Sequence, residues 1–471
     1  MKHILNILLF VGFVLNAQHP EKPNVVFILA DDLGINALHC YGNEYVESPN
    51  IDRLFAEGMH FTNGYSSDPT CAPSRASIMS GQYVPRHKVY RVVDRYKKDS
   101  VTLRHMKYLP PEINQTKGEG KGMSSEKITI PETLRKNGYT TAGFGKWHLG
   151  RKSMGMKNQG FDDAIEVTGH YDFKIHSEVK IDKPDSLYSS DFITGKGIEF
   201  MKKAVKDKKP FFLYLPYYLV HKPLEPKPEA LKHFRKKYKG NKELKEDDIK
   251  VLAMIKSLDE NVGQVLQAID NLNIEKETIV VFVSDNGHYK TDGKIFNKPY
   301  RGFKGQTFEG GIRVPYIFKW PGKIPAKTKS GEPVIHVDIY PTILGLTGTP
   351  KPENYVLDGE DLSPVLSGKK DHLNREALIW QYTNYARYRP KKKSFASSWV
   401  NVIQKDGFKL TEDVETGKFY LYYLKEDPYE TENVVNEYPE KAGDLKKELE
   451  KWKRETQSEE LVANPDYIES E

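Results

Sequence analysis

NVVFILADDLG, Asn24 to Gly34, sets the fold class of this chain. Val25 to Ala30 is an unbroken apolar run of strand length, rich in β-branched residues and lacking the alternation of a strand with one wet face. Such a run belongs inside a parallel sheet that is covered on both sides. Two adjacent carboxylates, Asp31 and Asp32, close it. The pattern returns at Phe211 to Leu215 (FFLYL), with His221-Lys222-Pro223 just beyond, and at Thr278 to Val283 (TIVVFV), which runs into Ser284-Asp285-Asn286-Gly287. Helical signals lie between these runs. Ser48 to Gly58 has a capping serine, a proline in the first turn, helical spacing of Ile51, Leu54 and Phe55, and a terminal glycine. Pro131 to Gly138 repeats that pattern, a short strand Thr140 to Phe144 leads into GKWHLG (Gly145 to Gly150), and Asp248 to Leu272 reads as a long amphipathic helix.

Strands alternating with helices predict an α/β domain: a large, mostly parallel sheet sandwiched by helices. In such sheets sites gather beyond the carboxyl ends of the strands. Asp31, Asp32, His221, Asp285 and Asn286 all fall there, although far apart in the chain. Beyond Gly368 the character changes to short aromatic strands, Ala377 to Tyr382 and Lys418 to Leu424, and a charged helix from Pro439 to about Thr456. This predicts a smaller C-terminal α+β subdomain with a small antiparallel sheet. The N-terminus has a basic start, an apolar run from Ile4 to Leu15 and Asn16-Ala17-Gln18, the form of a secretory leader too short to span a bilayer. The expected division is a leader over 1–17, a large domain over 18–370 and a subdomain over 371–471, with the protein exported to the periplasm or secreted.

The 471 residues are 38% hydrophobic and 29% charged, as in an ordinary folded soluble body. No later segment has the run of apolar residues a membrane helix needs. The net charge of +6 is modest, and the lysine clusters at 202–209, 232–245 and 391–393 read as solvated faces, with no nucleic-acid partner. The loops 97–127 and 169–190 are long for compact connections and are expected to wall a substrate site.

Adjacent buried carboxylates are costly unless a cation neutralises them. Asp31, Asp32, Asp285 and Asn286 offer oxygen donors without thiolate or imidazole, which points to Ca²⁺ or Mg²⁺ rather than zinc. One of the two cysteines lies in TCAPSRASIM, Thr70 to Met79. A helix predicted over Ala76 to Ser80 puts Cys71 at a helix N-terminus, where backbone N–H groups favour anions. The residues alone leave open whether Cys71 is a core residue or joins Cys40 in a disulfide, and whether Arg75, Lys146, His148, His221 and Lys304 are ordinary polar positions.

The order of DDLG, CAPSR, GKWHLG, HKP, SDNG and FKGQTFEGGIRVP (Phe303 to Pro315) resembles the formylglycine-dependent sulfatases of the alkaline-phosphatase superfamily. That resemblance implies that a maturing enzyme oxidises Cys71 to formylglycine, with Pro73 and Arg75 recognised during the modification and Arg75 later steadying the aldehyde hydrate. It implies that Asp31, Asp32, Asp285 and Asn286 hold a divalent cation and that Lys146 and Lys304 grip the sulfate. His221 would protonate the leaving alcohol, and His148 would deprotonate the second hydroxyl of the hydrate so that sulfate leaves. The expected partner is a sulfated polysaccharide or its oligosaccharides, with His288, Asp94, Arg95, His105 and His170 placed to line the sugar subsite. Two other readings stand beside this one: a phosphomonoester or phosphonate monoester hydrolase on the same scaffold, and a sulfated-glycan-binding protein without turnover. CxPxR favours sulfate over phosphate, and the filled catalytic positions favour turnover over binding alone.

Overall fold

The computed structural model of the chain describes residues 22–92, 104–109, 115–116, 120–176, 181, 186–383, 399–459 and 461–468. The leader, Asp94, Arg95 and the lysines at 391–393 lie outside these residues. A nine-stranded sheet forms the centre. Its strands are β1 (Asn24–Ala30), β2 (Met59–Phe61), β3 (Thr140–Gly145), β4 (Asp163–Thr168), β5 (Lys174–His176), β6 (Phe211–Pro216), β7 (Thr278–Ser284), β8 (Tyr316–Lys319) and β9 (Thr328–Ser330). Across the sheet they run β9-β2-β8-β7-β1-β6-β3-β4-β5. The pairs β1–β6, β1–β7, β6–β3, β3–β4 and β9–β2 are parallel. Antiparallel pairs lie away from the middle, at β7–β8, β8–β2 and β4–β5. The mostly parallel sheet read from NVVFILA is therefore the sheet observed.

Both faces are covered, as a strand without polar alternation requires. Val26, Ile28 and Ala30 face a layer with α1 (Pro49–Glu57), α4 (Ser189–Lys206) and α5 (Glu246–Asn271). Val25, Phe27 and Leu29 face the opposite layer with α2 (Cys71–Ser80), α3 (Ile130–Lys136) and α6 (Ile339–Thr347). The helix α3 starts on a capping box in which Thr129 accepts from the Glu132 N–H and the Glu132 carboxylate accepts from the Thr129 N–H.

The helix after TCAPSR begins at Cys71, five residues before the predicted start at Ala76. Pro73 does not prevent this, because the first N–H groups of a helix have no intrahelical partner to lose. All ten residues of α2 are buried. Cys40 and Cys71 are both free thiols, so the disulfide left open by the sequence does not form.

The C-terminal part folds as a four-stranded antiparallel sheet, β10 (Leu378–Tyr382), β11 (Val400–Lys405), β12 (Phe408–Asp413) and β13 (Lys418–Tyr423), backed by α7 (Pro439–Glu455). Leu445 and Leu449 of α7 pack on Ile403, Leu410 and Leu421 of the sheet. Leu378, Trp380 and Val402 instead pack against Tyr65, Ile312, Ile335 and Val337 of the large domain. No helix among the described residues is long and apolar enough to cross a membrane.

Just past α2, the buried His87 accepts from the Val89 N–H at 3.0 Å through Nδ1, so its Nε2–H faces Ser77 Oγ, also at 3.0 Å. Burial, assisted by Lys127, pushes this imidazole down from 6.5 to about 3. The folded state thus holds it neutral while the unfolded chain would protonate it. Its contribution to stability is complete above pH 6.5 and is withdrawn as pH falls toward 3, by up to about 1.4 kcal/mol per pH unit. We expect the Tm of His87→Gln to fall less steeply than that of the native chain across this window, as read by thermal melts in a pH series.

Candidate active site

The site begins where β1 and β7 end side by side. Their register pairs Ala30 with Ser284, so the residues that follow, Asp31-Asp32 and Asp285-Asn286, emerge together at the carboxyl edge of the sheet. Four hydrogen bonds knit them. Ala30 O accepts from the Asp285 N–H at 3.1 Å, and Asp285 Oδ1 accepts from the Asp32 N–H at 3.0 Å. Ser284 Oγ accepts from the Leu33 N–H at 2.9 Å, and Asp32 Oδ1 accepts from Asn286 Nδ2 at 2.8 Å. Asp32 has φ 61°, a left-handed conformation that costs about 1–2 kcal/mol for a residue with a Cβ and that this network holds in place.

Three basic side chains from other elements close over the carboxylates. Arg75, on the first turns of α2, donates Nε to Asp285 Oδ2 at 2.9 Å and Nη1 to Lys146 O at 2.6 Å, with no part exposed. Lys146, directly after β3, donates to Asp31 Oδ2. Lys304 lies 2.6 Å from Asp32 Oδ1 and 3.1 Å from Cys71 Sγ. The Cys71 sulfur is also 3.5 Å from Asp31 Oδ1 and 3.7 Å from Asp32 Oδ1. Sequence positions from 31 to 304 thus meet around one thiol.

Burial dominates the electrostatics of this cluster. It pushes Asp31 up to about 7, helped by the Asp285 and Asp32 charges and opposed by Lys146 and Arg75. Burial acts on Asp32 in the same sense, yet Lys304, His221 and Lys146 hold that carboxyl well below the usual range. Burial also drives the Cys71 thiol well up, against the pull of Lys146 and Lys304. Both lysines are pushed up, since their carboxylate neighbours outweigh the cost of dehydrating them.

His148 has φ 63° and is held well below its ordinary pKa by burial and by Lys146, Arg75 and Lys304; its Nδ1 is buried without a partner. His221 Nε2 stands 3.8 Å from Asp32 Oδ2, and burial and Lys146 push the ring down to about 3.

Of the residues expected at the sugar subsite, His170 and His288 touch the cluster through backbone. His170 donates Nε2–H to His221 O at 2.8 Å, and His288 donates Nδ1–H to Asp32 O at 2.7 Å. Both rings are buried, and each has its other nitrogen unpartnered. His105 is half-buried in a different place, a segment fastened to the C-terminus by Asn464 Nδ2 donating to Met106 O and the Ile468 N–H donating to Arg104 O.

Sequence reasoning missed two residues here. The Tyr218 ring lies 5.0 Å from Lys146 Nζ and edge-on to His170 and His221; its place just after the FFLYL strand was the available signal. His336 donates Nε2–H to Ser284 O at 2.9 Å and accepts from the Ser67 N–H, bracing the end of β7. No local pattern announces it.

The donor set fits a hard divalent cation. Asp31, Asp32 and Asp285 each offer an oxygen within 4.8 Å of the others and of Cys71 Sγ. Asn286 commits Nδ2 to Asp32 and to Gly287 O, which leaves its Oδ1 buried without a partner. An orphaned amide oxygen beside three buried carboxylates is what an oxygen-liganded metal would complete.

Comparison with known proteins agrees with this geometry. A family model described as Sulfatase matches residues 23–349, and one described as N-sulphoglucosamine sulphohydrolase, C-terminal, matches residues 302–459. A sulfatase of Formosa agariphila is 30% identical over an alignment covering 89% of this chain and 85% of that protein. An N-acetylgalactosamine-6-O-sulfatase of Bacteroides thetaiotaomicron is 26% identical, covering 93% of this chain and 94% of that protein. Among solved structures, Ps i-CgsB in complex with k-i-k-neocarrahexaose superposes with a TM-score of 0.77 at 27% identity, over 94% of this chain and 95% of the other. The strand-end carboxylates, the buried cysteine and the matched families lead to one assignment: the chain belongs to the sulfatase family, sulfuric ester hydrolases of alkaline-phosphatase-like fold.

Proposed function

We propose that this sulfatase is exported to the periplasm or beyond and removes sulfate from a sulfated polysaccharide or its oligosaccharides. In this reading a maturing enzyme converts Cys71 to formylglycine, and Ca²⁺ or Mg²⁺ is held by Asp31, Asp32, Asp285 and Asn286. The observation that carries it is the setting of Cys71, at the first residue of a buried helix between Lys304 and the paired carboxylates. A thiol pushed up by burial is a poor nucleophile at neutral pH, so the position is better suited to a precursor than to a working thiolate. The substrate class is supported by relatives that act on N-acetylgalactosamine 6-sulfate or bind a neocarrahexaose.

As formylglycine, residue 71 would supply a hydrated aldehyde, one hydroxyl to attack sulfur and a second whose deprotonation lets sulfate leave. The cation would supply positive charge to an ester that repels nucleophiles. The remaining steps belong to the chain's own side chains. Lys146 and Lys304 bind the sulfate oxygens and offset their charge as it shifts during transfer. Arg75, locked between Asp285 and Lys146 O, steadies residue 71 from within the same helix. His148, held neutral by burial and the surrounding cations, accepts the proton from the second hydroxyl. His221, pushed down to about 3 by burial and Lys146, takes up a proton once the anionic ester beside it favours the charged ring and gives it to the departing alcohol oxygen; its backbone carbonyl is fixed by His170.

Three outcomes are expected. The tryptic peptide containing residue 71, from protein made in its own host, should carry an aldehyde in place of the thiol by mass spectrometry, and Cys71→Ser should fold and bind sulfated oligosaccharide but turn over at most once. Chelation should abolish hydrolysis and lower Tm, with both recovered on adding Ca²⁺; full activity in chelator with no metal by elemental analysis would remove the cation from the reading. Replacing His221 with Ala should slow release of a sugar alcohol by about 10²-fold or more, yet affect 4-nitrophenyl sulfate far less, because nitrophenolate leaves without a proton. Equal losses on both substrates would assign His221 another role.

A further inference from the structure

The segment 301–312, which bears Lys304, is fastened from behind by the C-terminal subdomain. Lys409 on β12 and Glu430, which follows β13, are both fully buried. Lys409 Nζ donates to Glu309 Oε1 at 3.0 Å and lies 2.8 Å from Glu430 Oε1. Glu430 reaches back twice. Its Oε2 accepts from the Glu309 N–H at 2.7 Å, and its carbonyl accepts from Arg301 Nη1 at 2.6 Å. On the large-domain side, Glu309 Oε2 accepts from Tyr65 OH at 3.0 Å and from Arg313 Nη1 at 3.3 Å.

This network is linked to Lys304 by close packing. Glu309 opens the short helical turn Glu309–Ile312, whose glycines lie hard against the preceding loop. A Cβ on Gly311 would meet Gln306 O at 1.9 Å, and one on Gly310 would meet Arg301 O at 2.7 Å. The Gly310 N–H donates to Arg301 O at 2.7 Å, and the Lys304 and Gly305 N–H groups donate to His288 O and Pro69 O. Along the same segment the Gln306 N–H donates to Phe303 O at 3.0 Å and the Gly311 N–H to Phe308 O at 2.8 Å.

We propose that Lys409 and Glu430 are positioning residues that, through Glu309, fix where Lys304 presents its ammonium group, so that the C-terminal subdomain sets part of the catalytic pocket's geometry. The inference rests on reading Lys304 as a sulfate-binding group. A buried ion network is a weak source of stability, since apolar residues of similar volume often serve as well. Its geometry is well suited to specifying position: one ammonium group bridges the two carboxylates, so removing it leaves both without that partner, and altering Glu430 disturbs the acceptor of the Glu309 N–H.

The test uses the full-length matured enzyme and the variants Glu430→Gln and Lys409→Met, with Arg301→Ala as an exposed substitution that does not threaten folding. Acetylation by limiting acetic anhydride, read by peptide mass spectrometry, compares Lys304 with Lys146, which sits on a different loop and serves as an internal control. In folded variants the Lys304-to-Lys146 labelling ratio should rise several-fold. Turnover of 4-nitrophenyl sulfate should fall about tenfold or more, mainly in kcat, because a misplacement of about 1 Å can cost about 10²-fold. An unchanged labelling ratio in all three folded variants would overturn the proposal. The labelling does not depend on turnover, so an inactive native enzyme whose ratio still responds would defeat the sulfatase mechanism while supporting the positioning role.

Discussion

Everything in this molecule is arranged around three carboxylates buried at the ends of two neighbouring strands. Asp31, Asp32 and Asp285 are essentially inaccessible to solvent, each has an oxygen within 4.8 Å of the others, and the Asp32 N–H donates to Asp285. Dehydrating one carboxylate is expensive, and dehydrating three together is prohibitive without counter-charge. Arg75, Lys146 and Lys304 supply it, each from a different element: the first helix after β2, the end of β3, and the loop before β8. The placement of α2 brings Arg75 in, while its apolar side chains join the core.

The sheet fixes the acids, whereas a helix and two loops carry the bases, and the loops need support of their own. Arg75 is fixed by its helix and by Lys146 O. His221 is fixed by His170, and the carbonyl of Asp32 by His288. The loop of Lys304 has the longest chain of support, through Glu309 to Lys409 and Glu430. The family model of the C-terminal region begins at residue 302, ahead of the C-terminal sheet, and so includes this loop. The sequence boundary at about residue 370 and the mechanical boundary of the site therefore differ: the subdomain that starts after the boundary acts on a loop that precedes it.

Much of this was legible in the sequence because its cause is local. A run such as NVVFILA has no polar alternation, so its strand, its neighbours' direction and the carboxylates at its end could be read without a structure. The long amphipathic helix followed from periodicity and two of the four C-terminal strands from their aromatic content, with ends within a few residues of those observed; Val400–Lys405 and Phe408–Asp413 were not read. Around Cys71 the local reading failed by five residues, because Pro73 suggests a break before Ala76 whereas a helix tolerates proline in its first turn. The supporting residues were not legible at all. His336, Lys409 and Glu430 owe their roles to partners far away in the chain, and each reads in isolation as an ordinary polar residue. His170 and His288 were singled out in sequence for facing a sugar; each bonds the backbone of His221 or Asp32 through one ring nitrogen and keeps the other unpartnered.

The same electrostatics explains how one pocket can be stable when folded and still attract an anion. Three acidic side chains, with Asp31 pushed up to about 7, face three basic ones, so the cluster can be buried as the chain folds without a large net charge. Asn286 Oδ1, buried and unpaired, leaves that arrangement one ligand short of complete. A divalent cation taken up by the four oxygen donors would satisfy that atom and turn the net charge positive. Positive is the sign a sulfate ester requires, and in a pocket of low dielectric a small excess of charge acts strongly over a few ångströms. A site built from cations alone would bind sulfate but could not be buried so deeply, and one built from carboxylates alone would bind metal and repel the ester. On the proposed reading, interleaving the two lets folding, metal uptake and anion binding be met by the same side chains.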